Sequence, residues 1–277
     1  MKNIFLQNYQ KIREQYGSII DALRITSEEL GIKFFLIGAQ SRNVWSSHLK
    51  MNKRETRDID YSVQLRDYSE WQTMREFLVN KFGVVPDLEK PYRFRLNDQE
   101  FDILPFGNFA ENDEVFLGEK LRPFSVMGFQ DIADKGATEL GDNWIVTLPG
   151  LCVLKLISYS EKPAERSRDF GDFLFLLFNL TDIYADSIFD DEYFLNQMGN
   201  NIDIEIISAH KLANEMNEII QDNNFIREKI LEILNKELHG LNPDEIIAEY
   251  RNGKSNPPEL TKFRLMVELI RTIGIVH

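Results

Sequence analysis

The stretch Thr56-Arg57-Asp58-Ile59-Asp60-Tyr61-Ser62-Val63 decides how this chain is read. Side chains alternate along a strand, so Asp58, Asp60, Ser62 and Gln64 share one face and Ile59, Tyr61, Val63 and Leu65 the other. The apolar set is a face built for burial. Two like charges side by side on the other face each raise the cost of ionising their neighbour. A divalent cation between them removes that conflict. Magnesium brought in with a nucleoside triphosphate is the candidate, because this ion takes one or two carboxylates together with phosphate oxygens. The plain alternative is a solvated face neutralised by Arg54 or Arg57.

Upstream, Lys33-Phe34-Phe35-Leu36-Ile37 reads as a short buried strand running into Gly38 and Ala39, with a helix expected over 42–49. A strand that ends in glycine before a helix offers backbone N–H groups and a positive helix end to an anion. Gly38 and Ala39 would supply those N–H groups, Ser41 a hydroxyl and Arg42 a cation to a bound phosphate. Taken alone, the same residues describe an ordinary turn. Between this turn and the carboxylate strand lies a basic connection with Lys50, Lys53, Arg54 and Arg57, where a phosphate-bearing acceptor would approach.

Downstream, Tyr92-Arg93-Phe94-Arg95-Leu96 and Glu100-Phe101-Asp102-Ile103-Leu104 flank the polar turn Asn97-Asp98-Gln99, the pattern of a β-hairpin. Pro105 is expected to end its second strand. Asp102 stands among apolar neighbours on the face shared with Glu100 and Leu104. It could take the acceptor's proton or share a second metal ion; the alternative is a cross-strand pair with Arg93 or Arg95.

The rest of the chain falls into two compositional halves. Helices are expected over 5–30, ending at Gly31, and over 67–82, and strand pieces near 124–129 and 144–147 after an irregular loop at 107–123. From Pro149 the pattern is helical, over 149–159, 165–179, 187–198, 203–220, 225–239, 243–251 and 258–273. This gives a mixed α/β (α+β) catalytic domain over 1–147 and a helical domain over 148–277 packed against it. Two further positions stand out. Lys155 lies in a helix that is apolar nearly all round, so it either snorkels to water or reaches a phosphate or carboxylate. Asp169 and Asp172, three apart near a helix start, are read as capping groups, ion-pair partners of Lys155, or catalytic carboxylates.

Composition bounds the function. The 277 residues, 43% of them apolar, are enough for a sizeable core. One cysteine and four scattered histidines exclude a disulfide framework and zinc-finger spacing. No signal-peptide pattern and no apolar run of membrane-spanning length is present, so a cytoplasmic protein without membrane partners is expected. The net charge of −13 is uneven, −9 of it in residues 181–277, which argues against nucleic acid spread over the C-terminal half. It suits a small or cationic acceptor, or an RNA docked on the N-terminal half alone.

Five blocks in order resemble the AbiEii/AbiGii toxin-type nucleotidyltransferases of the polymerase-β-like superfamily. They are Ile37-Gly38-Ala39-Gln40-Ser41-Arg42, Thr56-Arg57-Asp58-Ile59-Asp60, Phe101-Asp102-Ile103-Leu104-Pro105-Phe106-Gly107, Leu148-Pro149-Gly150-Leu151 through Lys155, and Glu161-Lys162-Pro163 through Arg168-Asp169-Phe170-Gly171-Asp172. The resemblance implies a polymerase-β-like core and magnesium-dependent transfer of a nucleotide from an NTP, with two ions. Asp58, Asp60 and Asp102 would be the metal-binding carboxylates, and Lys155 and Asp169 the family's downstream catalytic pair. It also implies a toxin or phage-defence role, tRNA as one acceptor, and a cognate antitoxin as partner. Asn43 and Glu161-Lys162 depart from residues common in relatives. Two rival readings remain: a small-molecule nucleotidyltransferase of the aminoglycoside-modifying kind, and a nucleotide-binding module without turnover.

Overall fold

A computed structural model describes residues 2–49, 58–118, 123–189, 203–241 and 258–274. The chain divides into two compact units, Met1–Leu151 and Cys152–His277. The first is α/β around a mixed sheet and the second is helical, the fold class that the hydrophobic patterns predict.

The sheet of the first unit has seven strands in the order β3-β4-β5-β2-β1-β9-β8. Its centre is β1 (Lys33–Ile37), β2 (Ile59–Leu65) and β5 (Gln99–Gly107). β2 runs antiparallel to β1 and parallel to β5. Phe34, Phe35, Leu36, Ile59, Tyr61, Val63, Phe101 and Ile103 are all buried, as central strands require. β4 (Arg93–Leu96) joins β5 through a two-residue turn at Asn97 and Asp98, whose φ values of 50° and 63° suit the twist of a tight hairpin. β3 (Val85–Pro86) and β8 (Ala137–Leu140) are the edges, and β9 (Asn143–Val146) lies parallel to β1.

Helices cover this sheet. α1 (Lys2–Leu30) contacts β1, α2 (Gly38–Ser46) and α3 (Tyr68–Phe82). Asp67 caps α3 by accepting from the Glu70 N–H at 3.0 Å, and Gly83 ends it in the left-handed region at φ 68°. Trp71, Met74 and Leu78 are its buried side, with Phe77 only partly covered.

Three expectations need correction. Pro105 does not end β5, which continues to Gly107. Ile103 N–H points toward the β4 side, donating to Tyr92 O, so the position two residues on faces the same side beyond the last paired residue of β4. A missing N–H costs nothing there. α2 begins at Gly38, four residues earlier than its pattern suggests. Residues 124–129 form only a two-residue strand, β7 (Phe124–Ser125), which pairs with β6 (Glu114–Val115). Gly128 at φ 81° then turns the chain into α4 (Phe129–Lys135). β8 escapes a pattern-based reading because an edge strand such as Ala137-Thr138-Glu139-Leu140 carries no continuous apolar run.

In the second unit, α5 (Leu148–Glu161), α6 (Ser167–Phe178) and helices Ile204–Ile220, Asn224–His239 and Pro258–Ile273 match the expected spans closely. Asp203 and Asn223 cap two of them. α7 (Leu180–Tyr184) follows α6, and of the helix expected over 187–198 only residues 187–189 are described, at the end of a 3-10 turn over Ala185–Ile188. The remainder of that span and the helix expected over 243–251 lie outside the described residues. Among the described residues, no helix is long and apolar enough to cross a membrane.

Candidate nucleotide and metal site

Asp60 is the hinge of the site. On β2 it stands opposite Ile37 of β1 and in parallel register with Asp102 of β5. Register partners on neighbouring strands project from the same face, so Asp58, Asp60 and Asp102 share one side of the sheet. All three are partly exposed, whereas Ser62, next along that face, is covered. The carboxylates therefore occupy the open end of an otherwise buried surface.

Gly38 is required here by two independent constraints. Its φ is +66°, and a Cβ built on it would lie 2.2 Å from Asp60 Oδ2 and 3.0 Å from Asp60 Cγ. Only a residue without a side chain lets the start of α2 approach that carboxylate. α2 has no side-chain N-cap, and Gly38 and Ala39 are partly exposed, so its first N–H groups lie beside the acidic face.

Two residues expected to hold phosphate are buried and have partners within the protein. Ser41 is fully buried and donates to Val146 O at 3.2 Å, an oxygen that also accepts from Trp45 Nε1 at 2.9 Å. It fastens α2 to β9. Arg42 is buried at 6% exposure, with Nη2 donating to Asn43 Oδ1 at 3.1 Å. Asn43 donates to Gln40 Oε1 at 3.2 Å, and Gln40 Nε2 donates to the Tyr16 hydroxyl at 3.1 Å. This polar chain makes Arg42 part of the scaffold of the turn.

Tyr16 was not legible as a site residue. It occupies a buried position on α1 where the backbone leaves helical geometry, with φ −116° and ψ 22°. Burial and then the charges of Asp58 and Asp60 hold its hydroxyl protonated above the usual phenol range. The one sequence signal was Gly17, which breaks an otherwise apolar helical stripe just where the kink falls.

Asp102 has the cross-strand partner that the hairpin register offers it. Arg93 grips it with both prongs, Nε to Oδ1 at 2.7 Å and Nη2 to Oδ2 at 2.9 Å, while Arg93 Nη1 lies 3.5 Å from Glu100. Among the described residues, no three acidic, histidine or cysteine side chains are gathered closely enough to hold a metal ion by themselves. Asp58 and Asp60 still suit magnesium: they are hard oxygen donors on one face, and this ion is commonly held by two carboxylates and completed by water and phosphate.

Lys155, Asp169 and Asp172 form a cluster of their own in the helical unit. Lys155 Nζ lies 2.6 Å from Asp169 Oδ1 and 3.0 Å from Asp172 Oδ2, and Ser158 donates to Asp169 Oδ2 at 3.1 Å. The three charged side chains are 9–15% exposed. This is the ion pair that was one of the alternatives for these residues, and it gives a lysine in an apolar helix its partners. The basic connection of Lys50, Lys53, Arg54 and Arg57 lies outside the described residues.

No protein-family model and no curated protein matches this sequence. Among solved structures, the chain is similar to the antibiotic-resistance factor ANT(2'')-Ia, studied in solution for its substrate-regulated conformation dynamics. That match has a TM-score of 0.38 and 12% identity, covering 66% of this chain and 95% of the other. Similarity at that level assigns no activity, so the chemistry rests on this chain's own residues.

Proposed function

We propose that the protein transfers a nucleoside monophosphate from an NTP to an acceptor hydroxyl. The observation that carries this reading is the juxtaposition at Asp60: glycine at the start of α2 on one side, with no room for a side chain, and Asp102 in register on the other. A helix start offering N–H groups beside paired carboxylates is an arrangement suited to a triphosphate and its counter-ion. Asp58 and Asp60 would hold magnesium, two ions once nucleotide is present. That metal would neutralise phosphate charge and polarise the phosphoryl oxygens.

The chain's own part is positioning. The N–H groups of Gly38 and Ala39 face the phosphates, and the Tyr16–Gln40–Asn43 chain fixes the turn that presents them. Asp102, oriented by Arg93, stands in register beside Asp60. The acceptor hydroxyl oxygen attacks the α-phosphorus and gives up its proton to solvent, the bond to the bridging oxygen breaks in line, and pyrophosphate leaves with the electron pair. The five sequence blocks support a toxin-type enzyme with tRNA as acceptor and an antitoxin partner.

The test is incubation of the chain with each α-labelled NTP, magnesium, and either total tRNA or an aminoglycoside panel. Label should enter the tRNA fraction and be lost on Asp60→Asn. Label in the aminoglycosides would move the acceptor to a small molecule, and label in neither, with NTP still bound, would leave a binding module.

A further inference from the structure

Resting on that reading, we propose that Tyr16 is the hydrogen-bond donor that orients the carboxylates of Asp58 and Asp60 for a divalent cation, with the direction of its proton set by Arg42. That direction follows from a chain of hydrogen bonds whose first member can only donate. A guanidinium carries five N–H donors and no acceptor. Arg42 Nη2 donates to Asn43 Oδ1 at 3.1 Å, which leaves Asn43 Nδ2 to donate to Gln40 Oε1 at 3.2 Å. With its oxygen taken, Gln40 presents Nε2 to the Tyr16 hydroxyl oxygen at 3.1 Å, and Gln15 Nε2 donates to the same oxygen at 3.1 Å. A phenol oxygen that accepts from both amides sends its own proton elsewhere.

The acidic face is where that proton goes. Burial is the first influence that keeps it on the phenol, and the charges of Asp58 and Asp60 add to it. Gln40 lies two residues along α2 from Gly38, where an added Cβ would stand 2.2 Å from Asp60 Oδ2, so the chain of amides ends beside the same carboxylate. The parts are firmly held. Arg42, Gln40 and Tyr16 are all buried, and Gln99 Nε2 of β5 donates to Gln15 O at 2.8 Å, tying the kink of α1 to the hairpin. A donor fixed against a metal-binding carboxylate sets the direction of its oxygens, as outer-shell partners do in metal sites generally. Tyr16 is a positioning residue, acting through the aspartates and not on the substrate.

Manganese titration of the nucleotide-free chain, followed by electron paramagnetic resonance, tests this. Wild type should bind manganese; a chain that takes up none would overturn the proposal, whatever it does with NTP. Tyr16→Phe should weaken binding about tenfold, the usual cost of losing an outer-shell partner, and unchanged or tighter binding would overturn it. Asn43→Asp tests the direction. A carboxylate there accepts from Arg42 but also demands the Gln40 N–H, so the Gln40 oxygen turns to Tyr16 and draws the hydroxyl proton off the acidic face. Binding should again weaken, by about fivefold, although the added negative charge would by itself attract a cation. No loss would overturn the relay. Added to Tyr16→Phe, Asn43→Asp should cost less than about twofold more, because both changes act through one proton; full additivity would show that Asn43 works without Tyr16 and overturn the relay. If Tyr16→Phe does not fold, Asn43→Asp, which keeps the phenol in place, decides alone. The metal readings use no nucleotide. If they hold while no NTP is consumed, the transferase reading fails and the Tyr16 device stands; transfer without the metal effect gives the reverse.

Discussion

Two acid–base clusters in this molecule use the same ingredients and reach opposite ends. In the sheet unit, Asp102 has a private partner in Arg93, while Asp58 and Asp60 sit beside it on the same open face. In the helical unit, one lysine serves two carboxylates, all three nearly out of water, and the more exposed Arg166 lies 3.5 Å from Asp169. The first arrangement leaves acidic oxygens toward a place a ligand can reach. The second closes its charges on each other. A charged motif can serve as a site when the scaffold leaves its charges accessible, and it is a clamp when the scaffold buries them.

The largest effect that would sharpen this contrast is on stability. Lys155→Met leaves Asp169 and Asp172 sharing a poorly hydrated pocket and should cost about 3–5 kcal/mol in urea unfolding. Adding Asp169→Asn and Asp172→Asn should restore most of it. A Lys155→Met protein of wild-type stability but without transferase activity would instead make Lys155 a member of the reaction machinery and break the comparison.

Gly38→Ala comes next. The new methyl must displace Asp60, and its backbone must hold φ +66°. A loss of about 1–2 kcal/mol in stability is expected, with transfer reduced at least about tenfold because the carboxylate moves. Normal turnover would show that Asp60 and the helix start need not meet.

A third test concerns a second closed cluster. In the helical unit Glu268 accepts from His210, Arg271 and Thr272. Burial pushes its carboxyl up, but hydrogen bonds from His210 and Arg271 outweigh that and hold it down at about 2. A carboxyl lowered on folding stabilises above its unfolded pKa, and the contribution is lost as pH falls through the folded value. Stability should therefore decline between about pH 4.5 and 2. Glu268→Gln should remove that decline and cost about 2 kcal/mol at neutral pH. A wild-type curve flat across the window would deny the cluster its closed character.

Tyr16→Phe gives the smallest change. It removes the acceptor used by Gln40 beside the acidic face, so turnover should fall a few-fold with little loss of stability. An inactive Tyr16→Phe would place the hydroxyl among the reacting groups.

The parts of the fold that were legible are those where periodicity and burial coincide. β1 and the helices Ile204–Ile220 and Pro258–Ile273 follow from apolar spacing, and the hairpin from a polar turn between alternating strands. What was hidden depended on neighbours distant in sequence. Pro105 looked like a terminator because its missing N–H matters only if a strand lies opposite, and β4 has already ended there. Ser41 looked available because nothing local shows that the distant Val146 takes its hydrogen bond. In the site, the shared face of Asp58 and Asp60 followed from strand alternation, whereas the grip on Asp102 depended on hairpin register choosing Arg93 over Arg95. Tyr16 required a kink that a helical pattern averages away.

The most direct measurement is a crystal structure of the chain with manganese and a non-hydrolysable NTP analogue. Anomalous density between Asp58 and Asp60, with the triphosphate against the start of α2 at Gly38, is the predicted result. Nucleotide bound elsewhere, or a metal that ignores both aspartates, would contradict the account.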